Sequence, residues 1–98
     1  IYSLIDEKKY QLNTYHTFVV QVNNRKRLMK YLGDNGIGCA IHYPNPIHLQ
    51  PAAKFLKNKV NSFPRTEYQS RKILTIPVHQ NLSKTNIKYI VKVMNNFK

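Results

Sequence analysis

Gly36-Ile37-Gly38-Cys39-Ala40-Ile41-His42-Tyr43-Pro44-Asn45-Pro46-Ile47-His48-Leu49-Gln50-Pro51 sets two imidazoles and a phenol around closely spaced prolines. Its first part, Gly38 to Tyr43, is short, apolar and bounded by glycine and proline, which predicts a buried strand. Pro44 and Pro46 stop that strand. A proline also pushes the residue before it towards extended geometry, so Tyr43 and Asn45 are expected to run straight as the chain leaves the sheet. His42 and Tyr43 would then occupy a rigid strand end, with His48 in the loop beyond. Imidazoles and phenols donate and accept hydrogen bonds towards sugar hydroxyls and phosphate oxygens, and a proline-stiffened backbone loses less entropy on binding. The segment is therefore a candidate site edge, at which His42 can contact a ligand or fill a polar gap at the core's rim, and Tyr43 can contact substrate or a partner subunit or pack under the Pro44 to Pro46 turn. His48 is a weaker candidate, its first task being to order the loop.

Upstream, Thr14 to Val22 is rich in aromatic and β-branched residues and reads as a strand. Asn24 offers an N-cap, and Leu28, Met29 and Leu32 recur at helical spacing until Gly36, which suits a left-handed C′ position; residues 25–35 are predicted helical. Downstream, Leu49 to Leu56 suggests one or two helical turns with Pro51 near their start, and Asn58 to Ser62 a loop. Pro64 opens a helix to about Lys72. Leu74 to Val78 comes next as a short or edge-type strand, since Pro77 cannot donate a ladder hydrogen bond. In the last helix Ser83 is the expected N-cap, Leu82 and Ile87 a hydrophobic staple, and Ile87, Ile90, Val91, Met94 and Phe97 the buried stripe. The order β-α-β-α-α-β-α predicts an α+β domain: a small sheet of three strands, with room for a fourth, covered by helices.

Ninety-eight residues, 42% of them hydrophobic, allow one compact domain with one modest core. The chain opens on Ile1 and its first clear element starts near Tyr15, so residues 1–13 are expected to be a linker from a preceding domain and 14–98 the folded unit. Sixteen basic residues against four acidic ones give a formal charge of +12, which brings polyanions into consideration. A small basic nucleic-acid-binding module is thus the alternative function. It is disfavoured because the basic residues are scattered without forming a stripe. Cys39 has no partner for an internal disulfide, and its place beside Ile41 on one strand face marks it as a small buried hydrophobe. No Cys/His spacing of the zinc type occurs, so no metal site is expected. A reduced, cytoplasmic protein without a membrane span fits these features. His16 and His79, in or just after strands, are expected to be structural.

The Gly36 to Pro51 stretch resembles the G-I-G-x-x-I-H-Y-P-x-P-[IL]-H-L-Q-P signature of the DegT/DnrJ/StrS family of pyridoxal phosphate (PLP)-dependent sugar aminotransferases. Tyr15 to Val22, Phe63-Pro64 and Ile73 to His79 are similar to family segments in the same order. The resemblance implies the C-terminal small domain of a fold-type I aminotransferase, working as a homodimer. It also implies transfer of an amino group, usually from glutamate, to a nucleotide-linked keto-sugar. The family's Schiff-base lysine and cofactor pocket lie in its large domain, so no catalytic or cofactor-binding residue is expected here, and the fragment alone should be inactive. His42 and Tyr43 match the His-Tyr pair that lies beside the sugar in that family. Cys39 and Ala40, and the short lysine-rich stretch Lys54 to Asn61, depart from many members and leave the sugar open.

Overall fold

The computed structural model describes residues 8–98. Strand β1, Phe18–Gln21, pairs antiparallel with β2, Ile73–Ile76, in a register that sets Phe18 against Ile76 and Val20 against Leu74. Between the strands come helix α1, Arg25–Asp34, two 3-10 turns at Ile47–Leu49 and Pro51–Leu56, and helix α2, Pro64–Lys72. Helix α3, Lys84–Asn96, comes after β2.

Local grammar accounts for the helix bounds. The Asn24 side chain accepts from the Arg27 amide at 3.3 Å, supplying a partner for one amide that the first turn leaves unpaired. At the other end Gly36 has φ of 69°, and the Gly36 and Ile37 amides return to the Gly33 and Leu32 carbonyls at 2.9 Å each. This is a Schellman closure, with Ile37 buried against the core just past it. Ser83 caps α3 by accepting from the Asn86 amide at 3.1 Å.

The core joins one face of the sheet to α1 and α3: Val20, Val22, Leu28, Leu32, Ile37, Leu74, Val93 and Met94 are all buried. The stripe of α3 runs through Ile90, Val93, Met94 and Phe97. Val93 was not in the expected set, whereas Ile87 and Val91 are about half exposed, at 47% and 51%. The helix is turned so that Val91 leaves the contact face, and Ile87 lies outside the packed cluster. β1 is also shorter than expected; its predicted beginning includes Tyr15, which has φ of 50° and so lies off extended geometry.

The expected second strand is not formed, and the described residues contain two strands instead of three or four. What remains is one bridge, in which Ala40 and Thr75 exchange both amide-carbonyl bonds at 3.0 and 2.8 Å. Continuing this antiparallel register would oppose Gly38 to Pro77 and His42 to Ile73. Pro77 has no N–H to give. The Ile73 N–H is used by the Gln69 carbonyl at the end of α2, and its carbonyl accepts from the Arg25 guanidinium at 3.3 Å. Both extensions are therefore blocked. β2 is short and at an edge of the sheet, as expected, its outer side touched only by the Ala40 bridge, but it runs Ile73–Ile76 and stops before Pro77 instead of reaching Val78.

Of the presumed linker, residues 1–7 lie outside the described residues, and 8–13 are exposed.

Candidate functional site

The bridge at Ala40 fixes the path of the backbone beyond it. Cys39 and Ile41 face the core, both half-buried against it. His42 is exposed, and its Nδ1 is 3.0 Å from the Thr75 hydroxyl oxygen on β2. A hydroxyl can donate or accept, so this bond orients the ring in either neutral tautomer and leaves Nε2 for another partner. The Tyr43 ring stands edge-on to it, 5.5 Å between centroids at 78°, and is 72% exposed. The peptide between the two is cis. Instead of running straight into the prolines, the chain bends at His42 and again across Pro44 and Asn45. The result is an outward corner of imidazole and phenol with one ring pinned.

His48 is placed differently. Its side chain is 8% exposed and its Nε2 meets Glu67 Oε1 at 3.0 Å, with the Phe63 ring edge-on at 4.8 Å. Glu67, on α2, also accepts from the Asn61 amide at 3.0 Å and the Phe63 amide at 3.3 Å. The structure thus brings His42 and Tyr43 together and sets His48 into a loop-ordering contact. Glu67 was missed. Its sequence signal was its position soon after Pro64, close to where a capping-box acid reaches back to the N-cap amide.

The Asn61 amide does most to hold the Glu67 carboxyl below the usual carboxylate range; burial opposes it, and His48 and the Phe63 amide add to the lowering. A carboxylate depressed in the folded state contributes stability above its unfolded pKa and loses it as the pH falls through the folded value. Acidification through and below the usual carboxylate range is therefore expected to loosen the 57–66 segment. Amide exchange of that segment measured against pH checks this, and a Glu67→Gln variant should show a flatter profile.

Cys39 is a poor nucleophile, since burial pushes its thiol up. His16 and His79 are exposed. Among the described residues no group of His, Cys, Asp or Glu is arranged to hold a metal, and no helix is long and apolar enough to cross a membrane. A Schiff-base lysine needs desolvation or a charged neighbour to be nucleophilic at neutral pH. All described lysines are exposed except half-buried Lys72, whose Nζ donates to the Asn23 side chain at 2.6 Å. These residues do not fit PLP. The open cleft of about 270 Å³ beside Lys72 is lined by Gln21, Val22, Asn23 and Tyr68, without His42, Tyr43 or His48.

The fold is that of a piece of a sugar aminotransferase. It superposes on S. venezuelae DesV, whose crystal structure is of a complex with a ketimine intermediate, with a TM-score of 0.76 at 30% identity, covering 82% of this chain and 22% of that one. It matches the fold of sugar aminotransferase CalS13 from Micromonospora echinospora with a TM-score of 0.82 at 14% identity, over 97% of this chain and 25% of that one. Residues 2–95 match the DegT/DnrJ/EryC1/StrS aminotransferase family, and the chain belongs to that family. It is 33% identical over 82 residues to the erythromycin biosynthesis sensory transduction protein EryC1 of Saccharopolyspora erythraea, covering 84% of this chain and 22% of that protein. It is also 28% identical over 95 residues to the dTDP-3-amino-3,6-dideoxy-alpha-D-galactopyranose transaminase of Aneurinibacillus thermoaerophilus, covering 97% of this chain and 25% of that protein. The chain spans about a quarter of the length of these relatives.

Proposed function

We propose that this chain is the C-terminal, substrate-recognising part of a PLP-dependent aminotransferase that moves the amino group of glutamate onto a nucleotide-linked keto-sugar. In this reading residues 1–13 link it to a large domain that binds the cofactor, and the whole protein works as a cytoplasmic homodimer. The names of its relatives support the reaction class: besides the A. thermoaerophilus transaminase they include a UDP-2-acetamido-2-deoxy-3-oxo-D-glucuronate aminotransferase of Pseudomonas aeruginosa. The observation that carries the role of this chain is the corner at His42 and Tyr43, exposed and held by Thr75.

Bound PLP supplies the electron sink for moving the amine. The chain's own residues recognise the sugar. His42, oriented through Nδ1, offers Nε2 to a sugar hydroxyl. Tyr43 offers a ring face and a hydroxyl beside it, and the bend at Pro44 and Asn45 keeps both clear of the core.

The test is to supply the longer protein with glutamate and nucleotide-linked 3- or 4-keto-sugars. The expected products are 2-oxoglutarate and the amino-sugar in equal amounts, the amine having replaced the keto oxygen without net oxidation. The 98-residue chain alone should bind no PLP and form neither product. A PLP absorbance band retained by the isolated chain, or a longer protein loaded with PLP that aminates none of these sugars, would overturn the proposal.

A further inference from the structure

The chain is strongly basic, yet the carboxylate of one of its four acidic residues is buried. Glu67 is 3% exposed, and its two oxygens gather donors from three places: the His48 imidazole in the proline-rich loop, and the Asn61 and Phe63 amides just before α2. The Ser70 hydroxyl and the Phe63 ring close around it, the first donating to the Glu67 carbonyl at 2.9 Å, the second edge-on to His48. The imidazole and the two amides converge on one side chain. Segment 44–63 holds two 3-10 turns but no α-helix or strand, and of its apolar side chains only Ala53 is buried while Ile47, Phe55 and Val60 are 67 to 78% exposed, so its shape depends little on burial. Its shape must therefore come from directed bonds. The near end of that segment is Pro44, directly after Tyr43.

We infer that Glu67 is a positioning residue: by tying His48 to the Asn61 and Phe63 amides it fixes the 44–63 loop, and through that loop the placement of the His42 and Tyr43 corner against the sugar. This rests on the proposed substrate role of that corner. Glu67 touches no substrate. Glutamine at this position keeps the volume but carries one acceptor oxygen where the carboxylate has two, and its NH2 faces the remaining donors. The loop would then loosen while the sheet, α1 and α3 stay as they are.

The experiment uses the longer protein carrying Glu67→Gln or His48→Leu. Expected is faster amide exchange in the peptide covering 57–66, with exchange over 18–22 unchanged. KM for the nucleotide sugar should rise about tenfold or more, as misplacement of a distant support can do, while kcat and KM for glutamate hold within about twofold. His48→Gln, which retains an N–H donor, should recover most of the sugar KM, an outcome that a general loss of stability would not produce. If Glu67→Gln fails to fold, His48→Leu carries the test, because Glu67 then keeps its two amide donors. Unchanged exchange at 57–66, or a loosened loop with an unchanged sugar KM, overturns the inference. If the unsubstituted protein aminates no nucleotide-linked sugar, the proposed activity has failed separately. The exchange result alone then decides whether Glu67 holds the loop.

Discussion

Leu74→Ala is expected to lower the unfolding free energy by about 2 to 5 kcal/mol, read as a fall in the denaturant midpoint at constant slope. Leu74 is 0% exposed, lies opposite Val20 on β1, and belongs to the cluster that includes Leu28 and Leu32 of α1 and Val93 and Met94 of α3. β2 is held on both sides, by β1 and by the Ala40 bridge. A neighbour is therefore poorly placed to collapse into the space left, and the cavity contribution adds to the lost transfer energy. Against a total of about 5 to 15 kcal/mol for a domain of this kind, the change would unfold a sizeable fraction of molecules on warming. Ile87→Ala is the control. At 47% exposure outside the cluster it should shift stability by no more than about 0.5 kcal/mol. Equal effects of the two substitutions would contradict this packing.

The largest effect on activity is expected from His42→Ala in the longer protein. Loss of one oriented hydrogen bond to substrate is worth about 1 to 3 kcal/mol, or roughly 5- to 150-fold in kcat/KM for the nucleotide sugar. Folding should hardly change, because the ring is exposed. Thr75→Val separates orientation from contact: it keeps a β-branched residue on β2 and replaces the hydroxyl 3.0 Å from Nδ1 by a methyl group that cannot hydrogen-bond. A smaller loss than that of His42→Ala is expected, falling mainly on KM. Tyr43→Phe asks in the same assay whether the hydroxyl or the ring is used. Parallel measurement of kcat/KM for sugar and for glutamate checks all three. If His42→Ala and Tyr43→Phe both left the sugar value unchanged, neither ring would be a sugar contact.

Helices were the most legible part of this chain. Asn24, Gly36, Pro64 and Ser83 each mark a helix end through bonds or dihedral limits within a few residues, and all four act where expected. That His42 and Tyr43 come just before the prolines was legible as well, but the bend that makes them a corner was not, since a straight strand end was expected there. Nor was the segment before it. Gly38 to Tyr43 has the composition of a strand, but a strand needs a neighbour with open bonding groups, and Ile73 has given its own to Gln69 and Arg25.

The contact between His48 and Glu67 spans 19 residues and shows no local period. His48 could be read as a loop organiser, but its partner could not be named. Val93 and Ile87 exchanged roles for a related reason: helical spacing defines a stripe, while the angle at which α3 meets the sheet selects which side of it is covered.

By itself the sequence determined where helices start and stop, that the chain carries one small α+β core, and which two rings would stand at the proline-bounded exit. Those outcomes stem from torsional limits and from hydrogen bonds between near neighbours. Only the tertiary structure decided that the sheet has two strands and one bridge, that His42 is pinned by Thr75, and that Glu67 gathers the loop. Each of these depends on which backbone and side-chain groups remain unpaired once distant segments have met.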